Sequence, residues 1–212
     1  MARFLVVLDV DSTLIENEVI ELLAEENGTL DRVAAITADA MNGLLDFEQS
    51  LRERVSALSG LTSADIATVA ARVTVTAGVP EMIAGVHAAG GRVGAVSGGF
   101  HEVIDPIAER LGLDYWRANR FAMDDGFHLS GLRGPIIDSA AKAATLREWA
   151  DDFGIPLSQT IAVGDGANDL QMMAITGLAV GFDAKAPVRD EAHLLIDVRD
   201  MSQLLPLLGL RG

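Results

Sequence analysis

The sequence predicts an α/β protein: a Rossmann-like parallel sheet core with a helical cap inserted after the first strand and a small β-hairpin flap. Three observations carry this prediction. Short apolar runs at residues 4–8, 93–96 and 161–163 each end in a polar cluster: Asp9 and Asp11, then Ser97, Gly98 and Gly99, then Gly164, Asp165 and Gly166. Helical stretches lie between these runs, and strands alternating with helices imply right-handed crossovers and a parallel sheet. Residues 14–75 break the alternation, reading as three or four helices with no strand.

Runs of this length bounded by turn residues are buried strands, because they are too short for helices and too apolar for a solvated face. In an open parallel sheet, ligands sit beyond the carboxyl ends of the strands. All three polar clusters fall at such ends, so three distant segments meet at one point. Within the insertion, Gly28 can end the first helix, Thr29 can cap the second and Gly43 can end it. Asp46 with Gln49, and Thr62 with Asp65, form the pattern of a capping box for the third and fourth. A helical insertion directly after the first acidic loop reads as a lid. The division expected is therefore a core of residues 1–13 and 76–212 and a cap of residues 14–75.

A smaller interruption at 121–134 centres on Asp124, Asp125 and Gly126, a hairpin turn signal. The alternation then resumes. A helix is expected over 139–153, a strand over 160–163, a helix over 167–176, strands over 178–182 and near 194–196, and a terminal helix.

Composition narrows the function. With 212 residues the chain can bury one core and a modest insertion. A net charge of −15 excludes nucleic acid and anionic membranes as partners held by general attraction. A phosphate site must then be built locally, from a metal ion, a lysine or backbone N–H groups. The chain has no cysteine, so disulfides, thiolate catalysis and cysteine-ligated zinc are excluded. The apolar run after Arg3 is too short for a signal peptide, and no window approaches a membrane span. The expectation is a soluble, cytoplasmic protein; oligomeric state is not legible.

Asp9 and Asp11 flank one residue at the mouth of the first strand. Taken alone they fit a turn or helix cap as well as a catalytic pair. Asp165 and Asp169 form a second acidic cluster, between glycines that let backbone approach a ligand. Four aspartates from two strand ends make an all-oxygen site suited to magnesium, whereas zinc would call for histidine or cysteine. Ser97 and Gly98 open a strand-to-helix turn, which is either ordinary or an anion site. Lys142 falls in the first turn of the 139–153 helix if Ser139 caps it, where the helix dipole disfavours a cation. It is either a surface lysine or an ammonium aimed into an acidic, phosphate-binding cleft.

In this order and spacing, Asp9, Asp11, Thr13, Ser97, Lys142, Gly164, Asp165, Asn168 and Asp169 resemble the haloacid dehalogenase superfamily of aspartate-nucleophile phosphatases. Glu18, the run 41–43, the run 46–55 and residues 96–100 narrow the resemblance to the phosphoserine phosphatase family, over nearly the whole chain. The loop 182–187 departs from the family pattern by one residue. The chain is also expected to lack the N-terminal regulatory domain that some relatives carry.

The resemblance implies a magnesium cofactor and phosphoserine as a small-molecule substrate. It makes Asp9 the nucleophile and Asp11 the acid and base. It assigns the metal to Asp9, the Asp11 carbonyl and Asp165, with Asp169 orienting the metal site or Lys142. Ser97, Gly98, Lys142 and Asn168 would grip phosphoryl oxygens. Glu18 would meet the substrate ammonium, Arg54 its carboxylate, and Met41 and Phe47 would form an apolar wall. A phosphotransferase passing the group to an alcohol such as homoserine, or another small-molecule phosphatase of the superfamily, stays open at this point. A signalling receiver domain is disfavoured by the helical insertion, and an inactive binding module by the retention of every ionisable group.

Overall fold

The computed structural model describes residues 2–210; residues 1, 211 and 212, counted with the core above, lie outside them. The core is one seven-stranded sheet in the order β4-β3-β2-β1-β5-β6-β7. Its centre is β1 (Leu5–Leu8), flanked in parallel by β2 (Arg92–Phe100) and β5 (Thr160–Gly164), with β6 (Leu178–Phe182) and β7 (Leu194–Ile196) beyond. Every residue of β1 is buried, because helices cover both faces. Val6 and Leu8 point into one core with Met82 and Val86 of α5 (Val79–Ala88) and Val103 and Ile107 of α6 (His101–Leu111). Leu5 and Val7 point into the other, with Leu146 and Trp149 of α7 (Ser139–Phe153) and Met172 and Met173 of α8 (Leu170–Met173). The period-2 alternation of a strand thus divides four consecutive apolar residues between two helix layers. Burying one such side chain contributes about 1.5–3 kcal/mol.

The cap consists of α1 (Val19–Glu26), α2 (Leu30–Met41), α3 (Phe47–Ala57) and α4 (Ser63–Arg72). It joins the core through a neck of two crossing segments, where Glu16 N–H donates to Thr74 O (2.9 Å) and Thr76 N–H to Leu14 O (3.0 Å). Both expected capping boxes form. Thr29 precedes α2, but its side chain makes no capping bond.

Three details differ from the sequence expectation. The flap hairpin, β3 (Tyr115–Met123) with β4 (Leu129–Arg133), begins earlier, because β3 first runs parallel to β2. Arg117 and Arg120 interrupt its apolar pattern; Arg117 pairs with Glu148 (2.7 Å), which hid the strand from a hydropathy reading. The cap of α7 is Asp138, whose carboxylate accepts from Ala141 N–H (2.8 Å), so Ser139 is the first helical residue. Of residues 167–176, Leu170–Met173 form the α-helical turn. The hairpin also grips the cap. Leu129 N–H donates to Leu61 O (2.7 Å) and Gly60 N–H to Leu129 O (3.2 Å). Among the described residues no helix is long and apolar enough to cross a membrane.

Candidate active site

Strand register builds the site. Leu8 pairs with Ala95 on one side and Val163 on the other. The next residues, Asp9, Val96 with Ser97 and Gly164 with Asp165, therefore emerge together at the carboxyl edge, where strand order reverses direction around β1. The strand-to-helix turn expected at Ser97 and Gly98 is an irregular stretch of β2, which runs on to Phe100. Asp9 N–H donates to Val163 O (2.8 Å), tying the two acidic loops. After Asp9 the chain closes a tight loop, with Ile15 N–H on Val10 O (3.0 Å) and Ser12 in the left-handed region at φ +57°.

Lys142 is 1% exposed, and its ammonium donates to Asp9 Oδ1 and to Asp169 Oδ1 (2.8 Å). These carboxylates account for a cation in the first turn of α7, against the helix dipole. Burial works to lower the lysine pKa, but Asp9 and Asp169 outweigh it and hold Lys142 protonated, above the usual lysine range. Asp169 is fully buried and also accepts from Gly166 N–H (3.2 Å). Gly164 makes room for it: a Cβ there would stand 2.3 Å from Asp169 Oδ2. Burial, then the Asp169 and Asp11 carboxylates, push Asp9 well above the usual range, with Lys142 pulling the other way.

Asp11 Oδ1 accepts from Val19 N–H at the start of the cap (2.8 Å), and Oδ2 accepts from the Ser97 hydroxyl (3.0 Å). Burial raises its pKa against the pull of these donors. A raised carboxyl suits a group that must deliver a proton.

Asp9, Asp165 and Asp169 each offer an oxygen within 4.8 Å of the others, all buried. Adding Asp11 and Glu18, five acids share the site with the cations Lys142, Lys185 and Arg54 among the described residues. That charge deficit and the all-oxygen donors fit a hard divalent cation.

The cavity above this cluster holds about 150 Å³. The core contributes Asp9, Asp11, Gly98, Asp165 and Asn168 to its lining, and the cap contributes Glu18, Phe47 and Arg54. Phe47 reaches over the irregular 97–99 stretch of β2, its ring 3.1 Å from where a Cβ on Gly98 would be. Glu18 accepts from the Ser12 hydroxyl (2.8 Å), and burial and then Asp11 raise its pKa. Arg54 donates to Ser50 O (3.3 Å) but forms no ion pair with a protein carboxylate among the described residues. Arg52, by contrast, is exposed and pairs with Glu48 (2.7 Å).

Met41 is not brought to the cavity. It ends α2 and is 84% exposed, and the chain then runs out through Leu44, 71% exposed. Reaching the cavity would require the cap to move.

Lys185 was missed by the sequence reading. Its ammonium pairs with Asp165 Oδ2 (2.9 Å) at the cavity rim, and its N–H donates to Asp165 O (2.8 Å). The signal was present: residues 183–185 follow β6 just as the other three polar clusters follow their strands. Removing this ammonium in Lys185→Met is expected to tighten divalent-cation binding by about two- to fivefold, a modest change because the lysine is 65% exposed. Calorimetric titration with magnesium reads the change, and weaker binding would show that Lys185 supports the metal site.

The family model of haloacid dehalogenase-like hydrolases matches residues 6–174. A phosphoserine phosphatase of Streptomyces coelicolor is 49% identical over 99% of this chain and 51% of its own length. One of Streptococcus thermophilus is 45% identical over 96% of this chain and 95% of its own. The chain thus spans about half of the first relative and nearly all of the second. A solved structure described as a phospho-aspartyl intermediate analogue of phosphoserine phosphatase superposes with a TM-score of 0.90 at 40% identity, covering 98% of this chain and 99% of that one. With its carboxylates, lysine and helical insertion assembled at one sheet edge, this chain belongs to the haloacid dehalogenase-like hydrolases and, within them, to the phosphoserine phosphatase family.

Proposed function

We propose that the chain hydrolyses O-phosphoserine to serine and phosphate with magnesium as cofactor. The Asp9 carboxylate attacks phosphorus and the bond to the serine oxygen breaks, leaving an aspartyl phosphate on Asp9. Asp11 gives its proton to the departing oxygen, then takes one from the water that attacks the intermediate, which restores Asp9 and releases phosphate. The carboxylates of Asp9 and Asp165 and the carbonyl oxygen of Asp11 would hold the magnesium ion, which when bound adds positive charge at the phosphoryl oxygens and favours ionised Asp9. Ser97, the Gly98 N–H, Lys142 and Asn168 hold the phosphoryl oxygens, and Asp169 keeps Lys142 aimed at them. Positioning and charge neutralisation do most of the work in such a transfer. The cap excludes water, with Phe47 as its apolar wall and Met41 joining when the cap closes. A cytoplasmic location belongs to the same reading.

The observation that carries the choice of substrate is that an Arg54 guanidinium and a Glu18 carboxylate line one small cavity without an ion pair between them among the described residues. Burial lowers the Arg54 pKa against the pull of Glu18 and Asp11, and a half-buried guanidinium with no ion-paired carboxylate among the described residues favours a ligand that brings one. Phosphate release from a panel of esters, with magnesium and with chelator, tests the reading, with homoserine added to detect transfer to an alcohol. Phosphoserine is expected to be preferred and chelator to stop release.

Arg54→Ala should raise the barrier for phosphoserine by about 2–5 kcal/mol. Phosphoethanolamine, which lacks the carboxylate, should be poor with the parent protein and lose little more in the variant. Equal losses in kcat/KM for both esters would mean that Arg54 supports the cap and does not read the carboxylate.

A further inference from the structure

Asn119 lies on β3, 2% exposed, and belongs to none of the motifs described above. A buried amide must use its hydrogen-bonding groups or destabilise the fold. Both of its ends are used. Nδ2 donates to Gly98 O (2.8 Å), and Oδ1 accepts from Ile137 N–H (2.9 Å). The need arises because β2 and β3 lose register between Val96 and Phe100. Residues 97–99 bulge out of the ladder within β2 there, and Asn119 serves the Gly98 carbonyl in place of a strand neighbour.

The contact does more than satisfy a carbonyl. A peptide unit is planar, with its C=O and N–H opposed, so holding one aims the other. The N–H of the unit that Asn119 holds belongs to Gly99, and it donates to Ser97 Oγ (2.7 Å). Having accepted that bond, the Ser97 hydroxyl turns its own proton to Asp11 Oδ2 (3.0 Å). Four groups form one hydrogen-bonded chain, from the Asn119 amide through the 98–99 peptide and the Ser97 hydroxyl to the Asp11 carboxylate, each polarising the next. The other end of the amide holds Ile137, one residue before the cap of α7 that carries Lys142.

We propose that Asn119 is a positioning residue for phosphoryl transfer, orienting the 98–99 peptide and through it Ser97 and Asp11; this rests on the roles given to Ser97 and Asp11 above. Asn119 touches no reacting atom. It sets the direction in which the phosphate-gripping bulge of β2 and the acid–base carboxylate face.

Asn119→Asp tests this. It keeps the size and the acceptor for Ile137 but turns an oxygen toward Gly98 O. The expected result is a fall in kcat of about 10–100-fold, the scale of a small misplacement of reacting groups. Calorimetric affinity for inorganic phosphate in the presence of magnesium should weaken by about three- to tenfold, the scale of one hydrogen bond. In a double-mutant cycle, adding Asn119→Asp to Ser97→Ala should cost less than about a further twofold, since the two act in series. A lower thermal midpoint with kcat and phosphate affinity of the folded variant within about twofold of the parent would overturn the proposal, as would fully additive losses. Asn119→Ser, which loses the same donor without adding charge, gives the same readouts should Asn119→Asp not fold. A parent protein that releases no phosphate from phosphoserine would overturn the substrate reading instead, and the phosphate affinities would still decide the role of Asn119.

Discussion

Asp9→Asn is expected to reduce turnover to below about a thousandth of the parent rate, since losing a covalent route costs several kcal/mol of barrier. The fold should tolerate the change. Burial first, then the Asp169 and Asp11 carboxylates, raise the Asp9 pKa, so removing its charge relieves both the desolvation cost and the repulsion. Lys142 loses one partner but keeps Asp169 at 2.8 Å, so its ammonium is not stranded. Steady-state release of phosphate from phosphoserine, alongside a thermal melt, measures both parts. Intact-mass analysis after rapid quench should detect an added phosphoryl group in the parent and none in the variant. Turnover above a thousandth in a folded variant would remove Asp9 from the role of nucleophile.

Asp11→Asn separates the two carboxylates of the first loop. Its kcat should fall by about 10²–10⁴-fold through loss of both proton transfers. An amide of the same shape can still accept from Val19 N–H, so the entry to the cap stays in place. Magnesium affinity should be nearly unchanged, because the Asp11 carboxylate is outside the cluster of Asp9, Asp165 and Asp169. Asp165→Asn, which alters that cluster directly, is expected to lose magnesium binding. Titration of both variants decides the matter: an equal loss of metal in the two would assign the Asp11 side chain to the metal.

Much of this was legible in local sequence. The strands 4–8 and 161–163 announced themselves because a strand buried on both faces is continuously apolar, and the clusters after them because strand ends in a parallel sheet share one edge. The capping boxes at Asp46 and Thr62 were legible because they are local, with both partners three residues apart. Lys142 was suspected from its conflict with the helix dipole, and its contacts with Asp9 and Asp169 account for that conflict.

Other features depended on groups far apart in the chain. Nothing near Asn119 distinguishes it from a loop asparagine; its role exists only because β3 lies beside a register break in β2. Lys185 acquires its carboxylate partner only when β6 pairs with β5 and sets its loop on Asp165. Met41 sat in the right pattern, yet its distance from the cavity depends on where the cap rests on the core. By itself the sequence determined most of the elements, the capping boxes of α3 and α4 and the acidic clusters that end β1 and β5, because these follow from hydrogen bonds and burial within a few residues. Tertiary structure decided which polar groups face each other across the sheet edge. That choice is made by strand register and packing, which couple residues more than a hundred positions apart, as with Lys142 and Asp9.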